Sequence, residues 1–205
     1  MIVTLILIVL IIAVLLWLYF NYWSTNATNG GTSPSGSPAP SGSGWNATTA
    51  PMVQMAINSK YLSPSSSVLG VSIPTLDSTR AAVVANAVRN TYSYNQFMAS
   101  IAPVNVSSMT DMDLRVGLDI MSKVQTQVGV NWNSMSEAQL LRAFNLTSAN
   151  FDGSCVRSVV NSTPLSVTQV LYLNALYSSN KSVMNLPSFQ GLARLARSLI
   201  NCRRR

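Results

Sequence analysis

Residues 77–102 read DSTRAAVVANAVRNTYSYNQFMASIA, with Pro103 immediately after. A capping Asp at the start, an Ala/Val-rich body and a proline just past the end are the punctuation of a helix, expected here over 78–100. Downstream, Thr110 caps a second segment whose first turn carries Asp111 and Asp113 against the positive end of the helix dipole. Its residues Met112, Val116, Ile120, Val124 and Val128 recur at helical spacing, and Gly129 marks its end. Ser134 and Glu137 have the spacing of a capping box for a helix over 136–144, and a short helix over 154–160 follows. Thr163 then Pro164 opens a helix over 163–177. Pro187 with Ser188 opens the last, with Phe189, Leu192, Leu195, Leu199 and Ile200 on one face. About five or six helices with short connections make an all-α bundle the expected fold. Only SVLGVSI at 67–73 alternates in a β-like way, and it is read as extended packing. Met52, Met55, Met98, Met109, Met112, Met121, Met135 and Met184 suggest either a Met-lined groove or filling of irregular core gaps, and we favour the latter.

Upstream of the helical region the composition changes twice. Residues 24–51 are rich in Gly, Ser, Pro and Thr, carry no charge and hold almost nothing to bury, so they read as a linker whose ends sit roughly 30 Å apart as a flexible coil. Residues 2–20 are apolar except for Thr4, and as a helix would span roughly 29 Å of bilayer. The run closes with Trp17, Tyr19, Phe20, Tyr22 and Trp23, amphipathic rings of the kind that settle at a membrane–water interface. The expected organisation is a single transmembrane anchor over 1–23, a linker over 24–51, and a helical domain over 52–205 with a basic C-terminal helix. A cleaved signal peptide is the alternative, with a tolerable cleavage site around Ala27. Against it, no Lys or Arg precedes the run, and the run exceeds the usual apolar region of about 7 to 15 residues. The positive-inside rule does not orient the anchor, because the first basic residue after it is Lys60.

All 13 Lys and Arg and all six Asp and Glu lie beyond Pro51, giving that region a formal charge of +7 on a surface otherwise rich in Ser, Thr, Asn and Gln. Such a surface suits packing against other proteins. Asn26, Asn46, Asn105, Asn145, Asn161 and Asn180 stand in N-x-S/T triplets. Chance alone would give roughly four in so Ser/Thr-rich a chain, so the excess leans only modestly toward an exoplasmic, glycosylated domain.

Catalytic chemistry finds little to work with. The chain has no His, which removes the commonest general base and metal ligand. The acids have ordinary employment: Asp111 with Arg115 and Asp119 with Lys123 are i,i+4 pairs, Asp113 lies in a first turn, Asp77 precedes a helix, and Glu137 belongs to a capping box. Only Asp152, in an Asp-Gly turn, lacks a helical role. A Ser/Lys hydrolase would have to use Lys60, Lys123 or Lys181, and no spacing singles out a serine. The glycines of 41–44 form no phosphate loop, since no strand precedes and no Lys follows. No enzyme, cofactor or metal is expected.

Cys155 and Cys202 are the only cysteines, and a bridge between them would tie down the C-terminal helix, stabilising by on the order of 4 kcal/mol in the loop-entropy model. Two buried free thiols are the alternative expected of a reducing compartment. Arg194 and Arg197 on the final helix, then Arg203, Arg204 and Arg205, could lie on anionic lipid, grip nucleic acid or dock on an acidic protein surface. Nucleic acid is disfavoured because no aromatics interleave with the basic residues. The plainer reading is that these cations complement the helix dipole and keep a chain end solvated.

In layout, the apolar run of 2–20, the tether of 24–51 and the Ser/Asn/Thr-rich domain resemble the membrane-anchored minor capsid and virion membrane proteins of large icosahedral double-stranded DNA viruses. That resemblance implies a helix in the inner viral membrane, a tether crossing the gap, and an arginine-rich end against capsid proteins. A rival is a glycosylated, disulfide-bonded cell-surface or lumenal binding module. A third possibility is a pilin-like filament subunit. That family's acidic residue near the start of the helix has no counterpart here, and the linker interrupts what should be one long helix.

Overall fold

The stretch expected to form one long helix forms two. The computed structural model describes residues 44–46, 49–62 and 73–204. The anchor of 1–23 with Trp17, Tyr19, Tyr22 and Trp23, the linker up to 43 with Asn26, nearly all of the 67–73 segment, and Arg205 lie outside the described residues. Among those described there are eight α-helices and no strand: α1 Thr49–Ile57, α2 Ser78–Arg89, α3 Tyr94–Ile101, α4 Asp111–Val128, α5 Glu137–Ala143, α6 Gly153–Ser162, α7 Val167–Ser179 and α8 Gln190–Ile200. None of them is long and apolar enough to cross a membrane. The all-α bundle is as expected, but the count of about five or six helices is too low by α1 and by the division of 78–100 into α2 and α3.

The division has a local cause. Ser93 caps α3 with a full capping box, its hydroxyl accepting from the Gln96 N–H while the Gln96 side chain accepts from the Ser93 N–H. The carbonyl of Tyr92, at the break, takes a 2.8 Å hydrogen bond from the indole N–H of Trp45. Trp45 also packs its ring on Tyr94 and Phe97, at centroid distances of 5.4 and 5.5 Å. A residue from the stretch read as linker thus satisfies backbone that the helix break leaves open.

At α1, Val53, Ile57 and Tyr61 are spaced by four and all are buried. They lay one face of α1 and the π-helical turn Asn58–Leu62 onto α2 and α7. Asn58 clamps the extended chain before α2 from both sides, donating to Leu76 O at 2.8 Å and accepting from Leu76 N at 2.9 Å. Helix α4 forms where the sequence placed it, with Thr110 and Asp113 making a capping box and Gly129 ending it at φ +69°. Its buried stripe is Leu114, Val116, Gly117, Ile120, Met121, Val124 and Val128, whereas Met112 points outward and is 65% exposed.

Helix α4 packs on α2, α3 and α7. At Gly117 it makes room for the Tyr172 side chain of α7: an added Cβ would lie 2.0 Å from the Tyr172 hydroxyl. That hydroxyl donates to Ser100 O at 2.9 Å, and the Tyr61 hydroxyl donates to Ile101 O at 2.7 Å. Two buried tyrosines, their rings edge-on at 5.3 Å, therefore cap the last carbonyls of α3. Burial pushes both phenols well above their ordinary pKa.

Three start signals resolve differently from the sequence. Ser134 does not pair with Glu137. Ser136 caps α5 through Gln139, and Ser134 instead closes a 3₁₀ turn capped by Asn131. Thr163 ends α6 rather than opening α7, which begins from Ser166 and Gln169. Asp152 does have a helical role, accepting from the N–H groups of Ser154 and Cys155 as the N-cap of α6. Met109, Met121 and Met135 are core residues, while Met55, Met112 and Met184 are exposed.

Candidate interaction face on the C-terminal helix

The end of α8 is stitched to the start of α6. Cys155 and Cys202 form a disulfide, with Cα atoms 5.5 Å apart. Around it, Asp152 N donates to Cys202 O at 3.0 Å, Phe151 and Arg203 form an isolated antiparallel bridge, and Arg204 N donates to Asn150 O at 2.8 Å. The Arg204 guanidinium adds a bond to Phe151 O at 3.2 Å. The Asp152 carboxyl is held below the usual range by the Ser154 hydroxyl, then by the N–H groups of Cys155 and Ser154, and last by the charge of Arg204. Residues 202–204 are therefore fixed in place by one covalent bond and three hydrogen bonds, two of which make the Phe151–Arg203 bridge.

Helix α8 itself is only partly covered. Leu195 and Leu199 are buried and Leu192 is half-buried, but Ile200, expected on the same buried face, is 65% exposed. Between α8, α7 and the end of α5 lies an open apolar groove of about 550 Å³. Its walls include Phe144 and Leu146, Tyr177, Met184, and Leu192, Ala196 and Ile200 of α8; Asn145, Asn174 and Ser178 supply the few polar side chains. Arg194, Arg197, Arg203 and Arg204 are all exposed. The carboxylate pairs among the described residues are Arg80–Asp77, Arg115–Asp111 and Lys123–Asp119, so none of these four arginines has one. Arg203 and Arg204 are held next to Phe151, at the Ile200 end of this groove, whereas Arg194 lies on the opposite side of α8 from Leu192, Ala196 and Ile200, and no arginine lines the groove. The groove's one legible trace in the sequence was the α8 stripe, since the α5 and α7 walls come from distant segments.

Asp111 and Asp119 are occupied as structural anchors. Asp111 is held below the usual carboxylate range chiefly by the Ser188 N–H, 2.7 Å away, with Arg115 contributing less. It thereby ties the start of α4 to the turn before α8. Asp119 accepts from both Lys123 and the Tyr92 hydroxyl. Burial first, and this contact second, push the Tyr92 phenol up to about 12. No group of three or more His, Cys, Asp or Glu among the described residues is arranged to hold a metal ion.

Several sequon asparagines do structural work. Asn105 accepts from Ser107 N at 2.9 Å, and Asn180 accepts from Ser182 N at 2.9 Å, so in both triplets the third residue is the donor of a turn cap. Asn145 takes the left-handed conformation at φ 54° that ends α5, where Leu146 N reaches Leu141 O. Asn161 is exposed on α6, and Asn46 is exposed beside Trp45.

Set against protein-family models, curated proteins and solved structures, the chain matches none. The fold and face define a disulfide-tied, all-helical domain with a cationic, partly uncovered C-terminal helix.

Proposed function

We propose that this chain is a non-enzymatic, single-pass membrane protein whose helical domain packs into a larger assembly, serving as a minor capsid or virion protein that links an inner membrane to a protein shell. The order of segments carries the reading: an apolar run of 2–20 ending in aromatic rings, an uncharged tether, then a domain of charge +7. The arginine-bearing end of α8, fixed by the disulfide and lacking carboxylate partners within the described residues, supports a docking role for that end. The structural employment of Asp77, Asp111, Asp113, Asp119 and Asp152 supports the non-enzymatic part.

The disulfide and the exposed Asn161 favour a second reading, a glycosylated cell-surface or lumenal binding module. Alkaline carbonate extraction followed by flotation of native material tests the anchor, and glycosidase treatment separates the two readings. Retention in the membrane fraction with no mobility shift on deglycosylation is expected. Release into the carbonate supernatant would overturn the anchor, and a glycosidase-dependent shift would move the assignment to the second reading.

A further inference from the structure

We propose that the groove between α5, α7 and α8 takes one acyl chain of an anionic membrane phospholipid, with the headgroup at the Arg197, Arg203 and Arg204 end. The proposal rests on the membrane-anchor reading and names anionic lipid, in place of a shell protein, as the partner of the arginine-bearing end. A volume of about 550 Å³ is of ligand size, and its walls are almost wholly apolar. From Phe189 to Ile200 the groove follows α8 for roughly 17 Å at 1.5 Å per residue, the reach of an extended chain.

The charge is uneven along the groove, with more cations at one end than at the other. Arg203 and Arg204 are pinned to Phe151 and Asn150 at the end where Phe151 and Ile200 line the groove, and Arg197 lies one turn earlier. At the other end, near Met184, Lys181 is the cation of its turn. The acid nearest the arginine end, Asp152, is already committed to the α6 N-terminus. An amphiphile with a single anionic head matches that polarity, whereas an acidic helix lying in the groove would call for cations along its length. On the anchor reading the domain is tethered to a bilayer, so a lipid is the amphiphile at highest effective concentration.

The test uses the full chain in nanodiscs containing phosphatidylglycerol that carries a photoreactive group on one acyl chain, with phosphatidylcholine carrying the same group as comparison. Crosslinked peptides are mapped by mass spectrometry. The expected result is labelling of the peptides from α7 and α8 at least tenfold higher with phosphatidylglycerol, while the N-terminal apolar run is labelled by both lipids. Ala196→Glu, at an exposed position on the groove wall, should abolish the α8 labelling and leave the N-terminal labelling intact. Arg203→Glu with Arg204→Glu should reduce the phosphatidylglycerol preference to less than twofold. Equal labelling of α8 by the two lipids overturns the proposal. So does an unlabelled α8 beside a labelled N-terminal run, the result expected if another protein segment or a second copy fills the groove. Absence of labelling on the N-terminal run overturns the anchor reading, and this proposal with it.

Discussion

Gly117→Ala separates two opposite expectations. By helix propensity alone, replacing a mid-helix glycine with alanine stabilises by about 1 kcal/mol. At Gly117, however, the new methyl would lie 2.0 Å from the Tyr172 hydroxyl oxygen, 2.4 Å from Cζ and 2.9 Å from Cε1. The ring cannot swing into solvent, because Tyr172 is fully buried and packs edge-on against Tyr61 at 5.3 Å. Forcing it aside is overpacking, at about 1–3 kcal/mol. It also breaks the 2.9 Å bond to Ser100 O, leaving a buried hydroxyl and a buried carbonyl without partners for another roughly 1–3 kcal/mol. Set against the propensity gain, the net loss is about 3 kcal/mol, or about 6–12 °C in Tm for a domain of this size. Thermal unfolding of the full chain in mild detergent, followed by far-UV circular dichroism, reads the effect. In a Tyr172→Ala background the same substitution should become neutral or stabilising by up to about 1 kcal/mol. A Tm equal to or above that of the parent chain would refute the reasoning.

Trp45→Ala removes the indole bond to Tyr92 O and two ring contacts; it should cost about 2 kcal/mol by urea unfolding, even though the residue lies in a stretch that reads as linker. Reducing the Cys155–Cys202 bridge, or Cys202→Ser, should lower stability by about 4 kcal/mol on loop-entropy grounds, measured as the difference between scans with and without reductant. Stability should form a plateau between about pH 5 and 9 and fall on both sides. Asp111 and Asp152 have depressed folded pKa values, so their contribution is present above the unfolded value and lost as pH falls through the folded one. Tyr61, Tyr92 and Tyr172 have raised values, so theirs is full below about pH 10 and lost above it as the unfolded chain ionises first. Urea midpoints across pH check the plateau, and absorbance at 295 nm should show Tyr61 and Tyr172 ionising only as the domain unfolds.

What the sequence revealed depended on whether a signal and its partner were local. Helix α4 was legible at both ends because Thr110, Asp113 and Gly129 act within a few residues of one another. The break at Ser93 was hidden because an Ala/Val-rich body reads through it, and the indole that satisfies Tyr92 O comes from 47 residues away. Overlapping caps misled: Ser134, Ser136 and Thr163 each offered a plausible start, and only backbone geometry decides which hydroxyl faces a free N–H. Asp152 looked idle because its partners, Ser154 and Cys155, begin a helix at a glycine, a residue with poor helix propensity. Met112 shares the helical spacing of Val116 and Ile120 but sits off the arc set by Leu114, Gly117 and Met121. Of the candidate face, the arginines and the α8 stripe were readable. The groove was not, since its other walls come from α5 and α7 and nothing local encodes their approach.

The most direct test of the proposed link between membrane and shell is crosslinking mass spectrometry on intact particles or membranes that retain the protein, using the exposed Lys60 and Lys181 as reporters. The account predicts recurrent crosslinks from both lysines to a few repeating shell subunits. Recovery as a lone, N-glycosylated surface protein without recurrent neighbours would contradict it.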